Sequence, residues 1–333
     1  MTKKYELIKA TAIHFQGKNL YRIKALRSFG EITTGQIGGY IESEDNLSHE
    51  GNAWVGGHAH VLGHAKIYEN AQALHYAIIT DDTEVFGNAK VTGRALIGGK
   101  AKIFDQATIR GSAFLYDQVQ VFGNAEISEN ITLNQRAKVY GNAKVLGKTV
   151  ISDQAEVYGQ TYISGDIHLS GTAKVFGNAC LSNKLSIQGN VELHGNIFLG
   201  NEEHRIVLNT PNDLMLIASV HEEDDTLLIY QTDSQLQFIC KNFSYAEVYD
   251  ESGREDSDLC LFNGSENQFL TLLERAYINN NYLWQRNESD IQKYLVIIQL
   301  AKYYIQNKPL SQKTIDALQH YPELAYFWQN QTP

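Results

Sequence analysis

Residues 85–126 read VFGNAK VTGRAL IGGKAK IFDQAT IRGSAF LYDQVQ VFGNAE, seven six-residue units whose first position is always Val, Ile or Leu. At the same step the branched position runs from Val55 to Leu199, 25 places of which only Ala73 is not Val, Ile or Leu. Two residues earlier lies a second series, from Ala53 to Ile197, with Ala at 16 places and Thr, Val, Ile or Leu at the others. Residues two apart on a strand point to the same side, so each unit is a short strand turning one small and one branched side chain inward. Two residues after the branched position stands Gly in 15 units, and mostly Asp, Asn, Glu or Gln in the rest. Those residues accept a sharp corner or a left-handed backbone. Strand, corner, strand, corner is the construction, and no residue is inserted or deleted between Ala53 and Leu199.

A second period sits on the first. The residue just after the branched position is aromatic at Tyr68, Phe86, Phe104, Phe122, Tyr140, Tyr158 and Phe176, each 18 residues from the last. In the other two phases that slot is mostly Ser, Thr, Gly, Leu or Gln, with Tyr116 the single aromatic. Amides recur at the same step: Asn70, Asn88, Gln106, Asn124, Asn142, Gln160, Asn178 and Asn196. Three hexads therefore make one coil. The expected fold is mostly β, a triangular parallel β-helix of 25 hexads over residues 51–200, with eight or so coils stacked into a rod about 40 Å long.

The hexads VFGNAK, VYGNAK and VFGNAC resemble the hexapeptide repeat of the left-handed parallel β-helix superfamily, whose best known members are acyltransferases. The lead-in NLYRIKALRSFGEITTGQIGGYIESEDNLSHEGNAWV resembles the start of YdcK-like hexapeptide-repeat proteins of bacteria and their phages, a group named as transferases on fold alone. The left hand of the helix comes from this resemblance, as do an acyl-CoA cofactor, a histidine base and a homotrimer for an enzyme of this kind. No other cofactor is expected. Many such acyltransferases interrupt the prism with a loop that completes the site, and the unbroken register here has none.

The ends differ in composition. Residues 1–50 are read as an N-terminal cap, with β-like stretches at Tyr5 to Ile8 and Leu20 to Ala25, because an open coil end exposes unpaired backbone groups. Residues 201–333 lose the period and are read as an acidic α+β domain, with strands to about 263 and helices from about 266. The strands fall at Arg205 to Leu208, Leu214 to Val220, Thr226 to Tyr230 and Leu236 to Cys240. A helical face of Phe269, Leu270, Leu272, Leu273 and Ala276 follows. Ser289 with Gln292 reads as the capping box of a second helix ending near Asn307 and Pro309, and Ser311 opens a third.

The chain carries a formal net charge of -10, distributed as +5 over residues 1–40, -4 over 41–200 and -11 over 201–333. Phosphate-backbone binding is driven largely by Lys and Arg, so direct nucleic-acid binding is not expected. No apolar run approaches the roughly 20 residues of a membrane span. The first residues lack the pattern of a secretory leader, which points to the cytoplasm. Cys180, Cys240 and Cys260 are widely spaced and read as reduced thiols, with no zinc motif.

His58, His60 and His64 cluster near the first coils and are the candidates for a catalytic base; none stands in an inward slot, so corners and outer faces are their expected places. His75 lies in the same region, and His194 ends the aromatic series. The aromatic column itself is either a ladder that stabilises the coils or a seam for docking. The function expected from the residues is that of a non-enzymatic interaction or scaffolding protein, presenting an aromatic seam and an acidic domain to a protein partner. A nucleic-acid-binding partner would meet the acidic domain as a phosphate mimic, and the phage-borne relatives connect that idea to counter-defence. The alternative is an acyl-CoA-dependent acyltransferase.

Overall fold

The computed structural model describes residues 3–193, 198–199, 206–208, 214–218, 226–231, 236–241, 261–271, 288–306 and 308–321. The chain divides into two compact units, Met1–Asn209 and Thr210–Pro333.

The first unit is a parallel β-solenoid of about nine turns with 18-residue coils. Each coil contributes three short strands, and each strand pairs in parallel with the residues 18 positions on, as Lys90 with Thr108 and Leu96 with Phe114. Backbone amides of one coil donate to carbonyls of the next, for example Lys90 to Ala107 at 2.9 Å and Leu96 to Ala113 at 2.8 Å. Every described place of the branched series is fully or almost fully buried, Ala73 included. The corner slot has positive φ at Gly and at the residues standing in for it, including Glu69, His75, Asp81, Asp105, Asp117, Glu129, Gln135, Asp153 and Asn183.

The acidic corner residues have a reason to be there. Ladder amides donate to the coil after, whereas these corner amides donate to the coil before, where a carboxylate accepts. Glu69 accepts from the Gly87 amide at 2.8 Å, Asp105 from Gly123 at 3.0 Å and Asp153 from Gly171 at 2.8 Å. A charge-assisted hydrogen bond offsets the cost of a left-handed non-glycine residue. At Gly111 a side chain has no room: a Cβ there would lie 2.5 Å from the amide nitrogen of Glu129.

The N-terminal cap is a hairpin of β1 (Tyr5–Phe15) and β2 (Lys18–Ala25), with β3 (Ile37–Ile41) pairing antiparallel to β2 and parallel to the strand at His60–Val61. Both expected β stretches are present, the first extended to Phe15. Ile41 and Leu47, buried, continue the core toward the N-terminus beyond Ala53. Their pairings with Val61 and Ile67 are two residues out of the 18-residue step, which hides them from a strict hexad count. Coil carbonyls accept from the coil before; in the first coil the amides of Tyr40, Glu42 and Ser48 serve Ala59, Val61 and Ile67, while the Ala53 carbonyl takes a side-chain donor. Lys4, wholly buried, fills that role: its Nζ donates to Ala53 at 2.9 Å and Glu50 at 3.2 Å and lies 4.9 Å from the Phe29 ring centre. Burial, with help from nearby Arg27, lowers its pKa from 10.5 to about 8.

Near the other end two eight-residue strands, Tyr162–Leu169 and Cys180–Ile187, run through a corner in register with each other. Gly165, at φ 131, lies where the corner straightens, a backbone that only glycine adopts readily. Ile206–Leu208, read from the sequence as part of the C-terminal domain, instead pairs in parallel with Leu185–Ile187, three residues beyond the 18-residue step. It extends the solenoid, out of the 18-residue step.

The second unit contains four antiparallel strands, Leu214–Ala218, Thr226–Gln231, Leu236–Lys241 and Leu261–Ser265, in sequence order. Three described helical segments follow, α1 (266–271), α2 (Glu288–Gln306) and α3 (Gln312–Leu318). Its core joins Phe238, Phe269, Tyr294, Ile297 and Leu300, with Phe238 stacked on Phe269 at 4.9 Å. Leu272, Leu273 and Ala276 lie outside the described residues. Ser289 is not the cap of α2 but a residue of its first turn, since the helix begins at Glu288. Ser311 does cap α3, accepting from the Thr314 amide at 3.1 Å.

Candidate functional site

The three histidine candidates fall on the first full coil, where each has partners of its own. His58 is exposed and stacks on Tyr76, ring centres 5.3 Å apart and planes 6° from parallel. His64 pairs through Nδ1 with Asp82 at 3.1 Å, its side chain 88% exposed. His60 is half-buried between Phe15 of the cap hairpin, at 4.6 Å, and Tyr40 of β3, at 5.2 Å. Burial, reinforced by His58, lowers its pKa, and its buried Nδ1 has no hydrogen-bond partner. His75 occupies a left-handed corner and meets the Thr92 hydroxyl at 2.6 Å. His194 and Asn196 lie outside the described residues. Among the described residues no three His, Cys, Asp or Glu side chains are grouped to hold a metal ion.

Tyr68, Phe86, Phe104, Phe122, Tyr140, Tyr158 and Phe176 form one continuous stack, with ring centres 4.7 to 5.0 Å apart and planes within 4°. All seven are half-buried. Each ring covers its neighbours, so the column spends its apolar surface on itself. The amide column is likewise self-paired: Asn52 donates to Asn70, Asn70 to Asn88 and Asn124 to Asn142, at 2.9 to 3.1 Å.

The face leading into the aromatic column carries, in the slot just before the branched position, Lys66, Glu84, Lys102, Gln120, Lys138, Glu156, Lys174 and Glu192. This alternation makes ion pairs from coil to coil, Lys138 with Glu156 at 2.8 Å and Lys174 with Glu192 at 2.9 Å. Tyr68 donates to Glu84 and Tyr140 to Glu156, both at 3.1 Å. Burial of Tyr68, then the hydrogen bond and charge of Glu84, push the phenol up to about 12. Burial opposes ionisation of Glu156, but its bonds from Lys138 and Tyr140 outweigh that and hold its carboxyl below the usual range. We call this the charged face.

A different face carries the same slot without charge: His60, Ile78, Leu96, Phe114, Thr132, Val150 and His168. The slot after the branched position adds Tyr116 and also holds no Asp, Glu, Lys or Arg across these seven coils. Phe114 is 40% exposed and Tyr116 42%, their rings 6.1 Å apart and nearly parallel. Tyr116 lies over Gly98, where a Cβ would stand 2.9 Å from its ring. This apolar face, not the aromatic column, leaves large apolar groups open. Sequence reasoning missed it by following the slot after the branched residue; the signal, apolar residues at 78, 96, 114 and 150 in a column of step 18 broken only by Thr132, stands in the slot before.

The fold and its faces define a parallel β-solenoid with one outward face uncharged. No family model matches the chain, and no curated protein matches it. Among the described residues no helix is long and apolar enough to cross a membrane.

Proposed function

We propose that the chain is a non-enzymatic scaffold, a rigid solenoid that presents its acidic residues 201–333 to a basic protein partner. The observation that carries the reading is the unbroken register. On the charged face and the aromatic column the outward groups are paired along the axis, and His58, His60 and His64 are engaged separately rather than gathered round a common point. The excess of 20 acidic over 9 basic residues in 201–333 favours a partner that itself binds nucleic acid, with carboxylates standing where phosphates would. Kinship with the left-handed hexapeptide-repeat and YdcK-like proteins, phage-borne ones among them, rests on the hexads and lead-in quoted above.

One observation favours the acyltransferase alternative. Burial keeps the His60 ring neutral, as a general base on an acceptor requires. Calorimetric titration of the full chain with acetyl-CoA and free CoA separates the readings: no heat is expected, and saturable micromolar binding overturns the scaffold. Titration with a histone-type basic protein is expected to give binding that weakens with salt and is competed by duplex DNA. Indifference to both salt and DNA removes the phosphate-mimic part.

A further inference from the structure

We propose that the apolar face is where two copies of this chain meet, packed face to face with their coils running in opposite directions. The proposal rests on the reading of the chain as an interaction module and names the occupant of one of its surfaces.

The outward column of this face is close to a palindrome about Phe114. A two-fold axis in the contact plane, parallel to the strands and passing through the Phe114 coil, sets that ring against its own copy. It places Leu96 opposite Thr132, Ile78 opposite Val150, and the half-buried His60, flanked by Phe15 and Tyr40 of the cap, opposite His168. Such an isologous contact asks only that the surface complement itself. No carboxylate, ammonium or guanidinium stands in either outward column of these seven coils, so closing the contact strips no charged group there of water.

The flanking column, before the small inward residue, adds complementary pairs under the same axis. His58 comes opposite Asp166, the exposed Tyr76 opposite Lys148 and Arg94 opposite Asn130, so no like charges of this column meet. Residues 201–333, at -11, call for a basic surface rather than this uncharged one, which leaves an identical face as the better complement. Seven coils at the interstrand spacing and a strand with its flanks give a face of about 29 Å by about 18 Å. Two copies would bury on the order of 1,000 Å², the small end of specific interfaces, where micromolar affinity is expected.

Sedimentation of the full chain over a concentration series tests this. A reversible dimer with a micromolar midpoint is expected, and Phe114→Asp, which sets two carboxylates together at the axis, should weaken it at least tenfold while leaving the melting temperature of the solenoid nearly unchanged. If that variant melts early, Thr132→Lys, which puts an ammonium opposite Leu96, is the substitute. Ser112→Cys tests the direction: its column meets itself at the axis only in the antiparallel pair, so a crosslink between the two introduced thiols is expected on mild oxidation. A chain that stays monomeric at about 100 μM, well above a micromolar constant, overturns the proposal, whether residues 201–333 or another protein then covers the face. So does a dimer indifferent to both substitutions. Either failure leaves the acetyl-CoA and histone titrations, and the scaffold they test, untouched.

Discussion

The charged face and the apolar face have the same kinds of inward residue and corner, yet use their outward slots in opposite ways. On the charged face Lys and Glu alternate but for Gln120, pairs such as Lys138–Glu156 and Lys174–Glu192 form one coil apart, and the neighbouring rings stack at the spacing of the strands themselves. Outward groups there serve the coil. On the apolar face Ile78, Leu96, Phe114 and Val150 repeat at the same step, but Phe114 and Tyr116 keep about two-fifths of their surface open. Periodicity alone therefore does not distinguish a structural column from a docking surface; whether the column satisfies itself does.

The sharpest attempt to break that contrast is Phe122→Asp. The ring is stacked at 4.8 Å and 4.7 Å on its two neighbours, and a carboxylate in its place should cost about 3 kcal/mol in urea unfolding of the solenoid. Ser128→Asp, the same slot on another face, should stay within about 0.5 kcal/mol. Equal losses would erase the distinction between a column that serves the coil and a slot that does not.

Lys4→Met extends the test to the coil end, where a charge is also spent on the solenoid's own backbone. It leaves the Ala53 and Glu50 carbonyls without the ammonium and should cost about 2 kcal/mol at pH 7. The pH dependence has a definite sign. With the amine's pKa lowered from 10.5 to about 8, the unfolded chain binds the proton more tightly. Wild-type stability should rise from pH 8 toward 10.5, and the difference between wild type and Lys4→Met should carry that slope. A difference that is flat across the window would mean the ammonium is as well solvated in the N-terminal cap as in water.

The smallest effect belongs to the ion pairs. Glu156 has a depressed folded pKa, so its contribution is present above its ordinary value of 4.5 and lost as pH falls through the lower folded value. Glu156→Gln should flatten the acid limb of the stability curve by less than about 1 kcal/mol, because Lys138 and Glu156 both retain contact with water. A larger effect would promote the charged column from ornament of the ladder to one of its supports.

Much of the solenoid was legible because its determinants are local and repeated: the inward pair, the left-handed corner and the stacked column all recur at fixed offsets. What was missed is what breaks the offset or spans it. Ile206–Leu208 joins the solenoid three residues out of step, and Ile41 and Leu47 join two residues out of step. Lys4 reaches carbonyls some fifty positions away, a contact with no local pattern. Among the candidate residues, the three histidines share one coil in the sequence but not one set of partners, and the aromatic column was visible without its self-covering. Ser289 shows the usual limit at a helix start, where a good capping residue stands one place inside the helix.

The strict 18-residue register also bears on how such a chain changes over generations. Duplication or loss of a gene segment encoding one whole coil would return every stack, amide pair and corner bond to its place, lengthening or shortening the solenoid by a single interstrand step of about 4.8 Å. An insertion of any other length would put out of line each column it interrupts. The molecule is thus a ruler whose graduations are inherited, free to vary in length in whole coils while its cross-section is held fixed.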